Sequence, residues 1–374
     1  MKGFVRYLDK HQGVQPSPYE YNCLIQSINH NYTQFHVGPP PPAHVLKYDV
    51  PIHVNRTAKY IDVNITTLQD ILTLIENHPI EPLCDYNIDL QSLHNIKGEL
   101  ETLNNMVGLT QLKQAVVDQL LYFIQRLHEG PDGDYKHTVL SGPPGTGKTE
   151  VAKLLGTMYS KIGALQNTGF KKVTRADLIA GYLGQTAIKT QKVIEASLGG
   201  VLFLDEAYSL SDPGQSDMFS KECVDTLCEA LSSHKDNLMV IIAGYEEALR
   251  SSFFSMNPGL SSRFLWRFTI DAYSPKELRQ IFIKKVADSK WTLENPDADF
   301  SVKWFEQRKD KFIQFGRDME SLFTYTKIAH GRRIYGKSNE YKKRLNKEDL
   351  DKGYEAFLSH KDLPKPSPLL NMYL

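Results

Sequence analysis

Residues 142–149 read Gly142-Pro143-Pro144-Gly145-Thr146-Gly147-Lys148-Thr149, and this stretch decides the fold. It follows a short apolar run at His137–Ser141 and precedes a helical pattern that begins near Lys148. Such a turn is a phosphate-binding loop, because its backbone N–H groups and the helix N-terminus point at phosphate oxygens. We therefore expect these eight residues to bind ATP. Lys148 should reach the β- and γ-phosphates, and the hydroxyl of Thr149 should coordinate Mg²⁺.

Two carboxylates end another apolar run, Val201-Leu202-Phe203-Leu204-Asp205-Glu206. A solvated strand end is the simple alternative, but unpaired buried carboxylates are costly and the phosphate-binding loop lies upstream. We expect Asp205 to orient Mg²⁺ through a water molecule and Glu206 to polarise the water that attacks the γ-phosphate. An acidic pair with a separate lysine in the loop indicates nucleotide hydrolysis rather than transfer to a large acceptor.

Short apolar runs alternate with longer amphipathic stretches from about residue 96. This alternation predicts an α/β fold in which a parallel sheet is sandwiched by helices. Two of the runs are apolar throughout, as central strands buried on both faces should be. The candidate strands are His137–Ser141, Phe170–Val173, Gly200–Leu204, Leu238–Ala243 and Trp266–Ile270.

The flanking regions differ from this core. Residues 1–95 hold nine of the 19 prolines, including the run Pro39–Pro42, and a helical pattern at Thr67–Ile75. We interpret them as a small N-terminal module of unknown role, followed by an ATP-binding domain at 96–273. A capping box, Ser274–Glu277, opens a helical lid over 274–360, and 361–374 form a loosely ordered tail.

Composition excludes several classes of function. The 374 residues carry 44 Lys+Arg and 44 Asp+Glu, so general attraction to nucleic acid or to an anionic membrane is not expected. No apolar run approaches the ~18–20 residues that cross a bilayer, and the N-terminus does not resemble a signal peptide. The four cysteines fit no zinc pattern. From these features we expect an intracellular, cytoplasmic protein with reduced thiols.

Arg263 lies in the stretch Asn257–Phe264, just before the last candidate strand. An isolated arginine in a loop is usually a surface charge. In ring ATPases, however, an arginine at this position faces the γ-phosphate of the neighbouring subunit and raises the rate by ~10³–10⁵. We therefore expect Arg263 to act in trans as the arginine finger.

Taken together, these motifs resemble an AAA+ ATPase of the CbbX/CfxQ type, which is SpoVK-like and whose best-known members activate Rubisco. The resemblance runs from about Met106 to Leu322, although Rubisco activation itself is not implied by these residues. The matching segments are Val107–Leu109, Gly142–Thr149, Val173–Leu178, Gly181–Thr186, Gly200–Tyr208, Ile242–Tyr245 and Asn257–Phe264.

The resemblance implies a ring homo-oligomer, a hexamer in the family, that uses ATP to pull or remodel a protein substrate. In the family, an aromatic-apolar-glycine loop lines the central pore and grips polypeptide. Here that loop is Tyr182-Leu183-Gly184. The alternative is that Tyr182 and Leu183 pack in the core. The segment Asp212–Met218 is a candidate second pore loop.

The resemblance also implies contacts to the nucleotide outside the phosphate-binding loop. Val107 and Gly108 should lie against the adenine and its ribose. Gly244-Tyr245 occupies the place of the first sensor, where many relatives have Asn or Thr, so a polar contact to the γ-phosphate is in doubt there. Arg317 stands near the place of the second sensor, although the usual Gly-Asn-Ala part is not kept. A surface ion pair is the alternative for Arg317.

Two rival functions remain open from the sequence. The first is a nucleic-acid-remodelling or loader-type AAA+ motor, which the neutral charge and the pore-loop aromatic disfavour. A basic cluster between Arg332 and Lys347 is diluted by acidic residues and fits a solvated helical face better. The second is an ATP-gated scaffold with little turnover, which the intact site residues disfavour.

Overall fold

A computed structural model of the chain describes residues 56–130, 133–182, 184–211 and 218–361. These residues belong to one compact unit that begins at Arg56. The predicted tail begins at Lys361, which the structure instead places at the end of the last helix. Residues 362–374, Leu183 and most of the second candidate pore loop lie outside the described residues. No helix within the described ranges is long and apolar enough to span a bilayer.

A five-stranded sheet forms the centre of the unit, and all its strands are parallel. Its strands are β3 (Thr138–Ser141), β4 (Phe170–Val173), β5 (Val201–Leu204), β6 (Met239–Gly244) and β7 (Trp266–Thr269). In the sheet they lie in the order β4-β5-β6-β3-β7. The sequence prediction of five strands in a parallel sheet is confirmed, with each end within one residue of its predicted position.

The side chains of the central strands point alternately to the two faces of the sheet, which explains why helices cover both faces. Every residue of β5 and β6 is buried. Val201 and Phe203 belong to one hydrophobic cluster, whereas Leu202 and Leu204 belong to another on the opposite face. Since successive side chains of a strand point to opposite faces, both faces need an apolar cover.

Helices supply that cover and build the regions on either side of the sheet domain. Two short parallel strand pairs accompany them: β1 (Thr57–Lys59) with β2 (Cys84–Tyr86), and β8 (Thr292–Leu293) with β9 (Arg344–Leu345). The helices are α1 (Leu68–Asn77), α2 (Leu90–Asn95), α3 (Lys97–Asn104), α4 (Thr110–Ile124), α5 (Lys148–Lys161), α6 (Arg175–Leu178), α7 (Thr186–Glu195), α8 (Met218–Ser233), α9 (Glu246–Ala248), α10 (Phe254–Met256), α11 (Pro258–Arg263), α12 (Pro275–Asp288), α13 (Pro296–Asp299), α14 (Val302–Glu306), α15 (Phe315–Ile334) and α16 (Lys347–Lys361).

Helix α1 shows how local sequence sets an element in the N-terminal region. Thr67 and Asp70 form a reciprocal capping box at its start. Backbone amides of Thr66 and Thr67 donate to the carboxylate, and these bonds lower the pKa of Asp70 to about 2. Satisfying these otherwise unpaired amides stabilises the first turn.

The predicted boundary between residues 95 and 96 is not a break in the packing. Ile71 of α1 and Leu100 of α3 are fully buried in the same cluster as Leu155 of α5. Residues 56–95 therefore share a core with the sheet domain and do not form a separate module. The prediction failed here because composition distinguishes regions but does not show which helices pack together.

The helical region after β7 has its own hydrophobic cluster, which includes Phe282, Phe300 and Phe305. The predicted capping box at its start is present, with the Ser274 hydroxyl accepting from the amide of Glu277. Its buried side chains form a cluster separate from those beside the sheet, and Tyr273 packs against both the lid cluster and one of the sheet clusters.

Truncating Leu100 to Ala tests whether the N-terminal helices belong to the common core. We expect the free energy of unfolding of the whole unit to fall by about 2–5 kcal/mol, because a fully buried leucine leaves a cavity. Urea denaturation followed by tryptophan fluorescence measures this loss, since Trp266 lies on β7 of the sheet. Leu127→Ala, at a leucine that is 59% exposed, is the matched control. An unchanged transition of the sheet domain in Leu100→Ala would contradict the shared core.

Candidate nucleotide site

A cavity of about 630 Å³ lies between the carboxyl edge of the sheet and the lid. Residues from the loop after β3, the turn after β5 and the start of α15 line it together. Most of the residues singled out from sequence therefore converge on one space. Of these, the cavity is lined by Val107, Pro144, Gly145, Thr146, Gly147, Lys148, Thr149, Asp205, Glu206 and Arg317.

Strand order brings the phosphate-binding loop and the acidic pair together. β6 pairs with β3 on one side and with β5 on the other, so the ends of all three strands meet at the same edge. The amide of Gly142 donates to the carbonyl of Gly244 at 3.0 Å, which fixes the beginning of the loop to the end of β6.

Lys148 lies at the start of α5, partly buried, with its ammonium turned towards its own loop. Nζ donates to the carbonyl oxygens of Gly142 at 2.8 Å and of Pro143 at 2.6 Å. Burial lowers the pKa of Lys148, while the charges of Asp205 and Glu206 act in the opposite direction. A buried ammonium that has only neutral carbonyls as hydrogen-bond partners favours an anion beside it.

Gly145 is a position in the loop where no residue with a side chain fits. Its φ of +72° lies in the left-handed region, and a Cβ there would overlap the carbonyl oxygen of Gln314. Its own carbonyl accepts a hydrogen bond of 3.0 Å from the amide of Gly316. The phosphate-binding loop and the lid are thus in backbone contact, which requires glycine at this point.

Lys172, which the sequence analysis did not single out, forms an ion pair with Asp205. Its Nζ lies 2.6 Å from Oδ2 of the carboxylate. Lys172 stands on β4, next to β5, and pairs in register with Phe203. In the sequence, Lys172 is no more than a lysine in a predicted strand. Its pairing with Asp205 could not be predicted, because it depends on which strands are neighbours in the sheet.

Glu206 adopts a strained backbone conformation. Its φ and ψ of 53° and 46° are left-handed, which costs a residue with a side chain about 1–3 kcal/mol. The amide of Ser209 donates to the Glu206 carbonyl at 2.7 Å and stabilises the turn. The carboxylate is exposed on the cavity, as a group that activates water must be.

Two tyrosines stand beside the acidic pair and also line the cavity. The rings of Tyr208 and Tyr245 lie 5.8 Å apart, and a Cβ at Gly244 would lie 2.9 Å from the Tyr208 ring. Burial and the nearby charge of Glu206 raise the pKa of Tyr208. Tyr245 thus brings a phenol, not an amide, to the place of the first sensor.

Residues at and near the start of the lid also line the cavity, and the sequence analysis missed them. The hydroxyl of Tyr273 donates to the carbonyl of Thr146 at 3.1 Å, and Tyr273 lines the cavity with Met106 and Ile281. Gly108 does not line it; its Cα faces Glu277 and Tyr273 instead. Apolar and aromatic side chains beside a phosphate-binding loop suit a planar nucleotide base. No sequence motif predicts this group of residues, because its members are distant from one another in sequence.

Arg263 lies at the end of α11, away from the cavity lining. Its Nε donates to the Ser232 hydroxyl at 2.6 Å and its Nη1 to the Gly259 carbonyl at 2.7 Å. Within one chain, Arg263 is therefore not brought to Lys148 and the acidic pair.

Tyr182 is 74% exposed, so it does not pack in the core. Gly184 has a φ of +77°, and Leu183 between them lies outside the described residues.

In the basic cluster of the lid, Arg333 is paired with Asp349 at 2.7 Å.

The donor set at the acidic end of the cavity fits Mg²⁺. Thr149 offers a hydroxyl and Asp205 a carboxylate, and both face the cavity. Mg²⁺ takes hard oxygen ligands, and it usually keeps several waters and binds one or two protein groups together with substrate phosphates. Two oxygen donors beside a phosphate loop meet that requirement.

Comparison with known proteins gives a consistent picture. Residues 138–271 match the model of the ATPase family associated with various cellular activities (AAA). The chain is 40% identical over 272 residues to a putative cfxQ-like protein of Acanthamoeba polyphaga mimivirus, covering 72% of this chain and 67% of that one. It is 33% identical over 232 residues to stage V sporulation protein K of Bacillus subtilis, covering 60% of this chain and 71% of that one.

The mycobacterial relatives are longer proteins. The chain is 36% identical over 216 residues to the ESX-1 secretion system protein EccA1 of Mycobacterium tuberculosis. This match covers 55% of the present chain but only 38% of EccA1. The present chain thus spans about two thirds of the viral protein and well under half of the mycobacterial one.

Replacing Lys172 by Met should strengthen the binding of Mg²⁺ at this site. The ammonium occupies one oxygen of Asp205 and repels a second cation. Without it, we expect the Mg²⁺ concentration needed for half-maximal binding of a fluorescent ADP to fall about fivefold, or about 1 kcal/mol, the upper range for a partly exposed pair. Lys171→Met, at the neighbouring residue on β4, is the control. An unchanged or higher Mg²⁺ requirement in Lys172→Met would show that the lysine does not compete for Asp205.

Proposed function

Because the chain belongs to the AAA family of ATP-hydrolysing P-loop enzymes, of the CfxQ and SpoVK type, we propose that it assembles into a ring and remodels a protein substrate. One observation carries the proposal: Lys148, Asp205, Glu206 and Arg317 line a single cavity, and Arg263 lies outside it. These residues are the groups that we assign to phosphate binding, metal binding and water activation, and a neighbouring subunit would supply the remaining cation, Arg263.

The phosphates of ATP would lie along the loop after β3, with the ammonium of Lys148 turning from its two carbonyl partners to the β- and γ-oxygens. Thr149 and Asp205 would hold Mg²⁺, which when bound neutralises charge on the phosphates. Arg317 would contact the phosphates from the lid. The base would lie between Val107 and Tyr273, where the lining is apolar and aromatic.

Glu206 would orient and polarise the attacking water. The water oxygen forms the new bond to the γ-phosphorus, and the bond from that phosphorus to the oxygen bridging the β- and γ-phosphates breaks. The proton of the water passes through the carboxylate to solvent or to phosphate. The strained backbone of Glu206 supports this role, because such strain concentrates at functional sites. Tyr208, beside it, would restrict where the carboxylate can turn.

Arg263 would complete the site of the adjacent subunit. Its guanidinium now donates to Ser232 and Gly259, neutral groups that a phosphate would outcompete. A cation supplied by the neighbour makes hydrolysis depend on assembly. Such a cation contributes a rate factor of ~10³–10⁵.

The loop around Tyr182 would contact the protein substrate. Its tyrosine is one of the most exposed large side chains among the described residues, so its ring is accessible to a polypeptide. The loop follows α6 and β4, and β4 also carries Lys172, the partner of Asp205. A force on the loop thus has a short route along the chain to Lys172 and, through its ion pair, to Asp205.

Mixing two inactive variants tests the ring. We expect Glu206→Gln and Arg263→Ala each to lower ATP hydrolysis by at least ~10³-fold when assembled. An equimolar mixture should recover a measurable fraction of the wild-type rate, because Arg263 from a Glu206→Gln subunit can complete the intact site of an Arg263→Ala subunit. The rate is measured against protein concentration, with size determined by light scattering.

Arg250→Ala, at an exposed arginine, is the control for loss of a positive charge. It should hydrolyse ATP like the wild type at every concentration. A wild-type rate per subunit that is independent of assembly, together with no recovery in the mixture, would rule out a shared site. Hydrolysis by wild type that Arg263→Ala leaves intact would rule out Arg263 as the finger.

Substrate contact by Tyr182 is tested with fluorescently labelled casein as a generic unfolded polypeptide. In the Glu206→Gln background with ATP, we expect the casein to be retained and its anisotropy to rise. Tyr182→Ala should abolish most of this rise, because the exposed ring is lost. Tyr341→Ala, at a lid tyrosine that is 47% exposed, should leave it unchanged. Equal retention by both tyrosine variants would place the contact elsewhere.

A further inference from the structure

The first turn of α15 holds a buried carboxylate. Asp318 is 5% exposed, and its Oδ2 accepts a hydrogen bond of 2.7 Å from the amide of Gln314. Its countercharge comes from the last residue of α16: Nζ of Lys361 lies 3.0 Å from the same oxygen. A buried carboxylate is costly without such a partner, so the two helices are bound together at this point.

The turn that Asp318 holds is the part of the lid that reaches the nucleotide cavity. It contains Gly316, whose amide donates to the Gly145 carbonyl, and Arg317, which lines the cavity. Phe315 in the same turn has a φ of +44°, a left-handed conformation that needs support from its surroundings. The hydrogen bond from Gln314 to Asp318 closes this turn and supplies that support.

Lys361 is itself fixed on several sides. Its Nζ also donates to the carbonyl of Lys311, and it lies 4.9 Å from the centre of the Phe357 ring. Its side chain is only 24% exposed. By contrast, Lys352 on the same helix forms an ordinary surface pair with Glu348, in which the side chains are 61% and 53% exposed.

We propose that Lys361 is a positioning residue for nucleotide binding: by neutralising Asp318 it fixes the turn at 314–317, and so holds Arg317 against the phosphates. This inference rests on the proposed function, in which the cavity takes ATP and Arg317 contacts it. The end of α16 thereby controls a phosphate contact that its own residues do not make.

The test measures the affinity of the full chain for a fluorescent ATP analogue, in the Glu206→Gln background so that no turnover occurs. We expect Lys361→Met to weaken binding about tenfold, a typical loss when a charged partner of a buried carboxylate is removed. Lys361→Arg should retain most of the affinity. Lys352→Met, which removes a charge from the same helix, should bind like the parent.

A double-mutant cycle separates positioning from a general loss of stability. If Lys361 acts through the arginine, Lys361→Met should add little to the loss already caused by Arg317→Ala. Fully additive losses, or a Lys361→Met variant that binds the ATP analogue like the parent, would overturn the proposal. Thermal unfolding of each variant is recorded in parallel.

If Lys361→Met fails to fold, Asp318→Asn provides the second route. The amide keeps an acceptor for Gln314 but removes the charge that needs Lys361. In that background, Lys361→Met should have no further effect on binding, and a further tenfold loss would contradict the proposal. Failure of the parent chain to bind the ATP analogue would instead refute the proposed function, so the two failures are distinguishable.

Discussion

The pairing of β6 with β3 and β5 is the constraint on which the nucleotide site depends. Parallel strands bring their carboxyl ends to one edge, and β6 in the middle sets the spacing between the phosphate loop and the acidic pair. The bond from Gly142 to Gly244 ties the first residue of the loop to that edge. Ligands of open parallel sheets bind there because unpaired backbone groups and helix N-termini converge.

The charged groups at the cavity have partners within the protein that a phosphate or a cation can replace. Lys148 rests on two carbonyls, and Asp205 is neutralised by Lys172 from the edge strand. Such partners are replaced at low cost, since a phosphate binds an ammonium more strongly than a carbonyl does. Arg263 follows the same principle, held by a hydroxyl and a carbonyl. In the proposed function, phosphate binding therefore exchanges these contacts for stronger ones.

The features that could be predicted from the sequence are those whose physical cause lies in neighbouring residues of the chain. Val201–Leu204 is apolar because it is buried on both faces, and the glycines of 142–149 announce a backbone that must approach phosphate. Prediction from the sequence failed where the cause is long-range. The partners of Lys172 and Lys361, and the contact of Tyr273 with the phosphate loop, follow from which elements become neighbours, and no periodicity encodes that. The packing of residues 56–95 on the sheet domain escaped prediction for the same reason.

Because the lid has a hydrophobic core of its own, its contacts with the phosphate-binding loop determine how it moves with that loop. Gly316 of the lid donates to Gly145, and Tyr273, the residue just before the lid, donates to Thr146, so the phosphate loop is contacted from the lid and from its junction with the sheet domain. A rigid lid held at the loop has to follow changes there, because packed cores shift as units and do not deform continuously. In the proposed function, Arg317 lies on the same turn as Gly316 and contacts the phosphates, so a change in nucleotide state would act at the contact between Gly316 and Gly145. The backbone contacts between lid and loop would then couple the nucleotide state to the position of the lid.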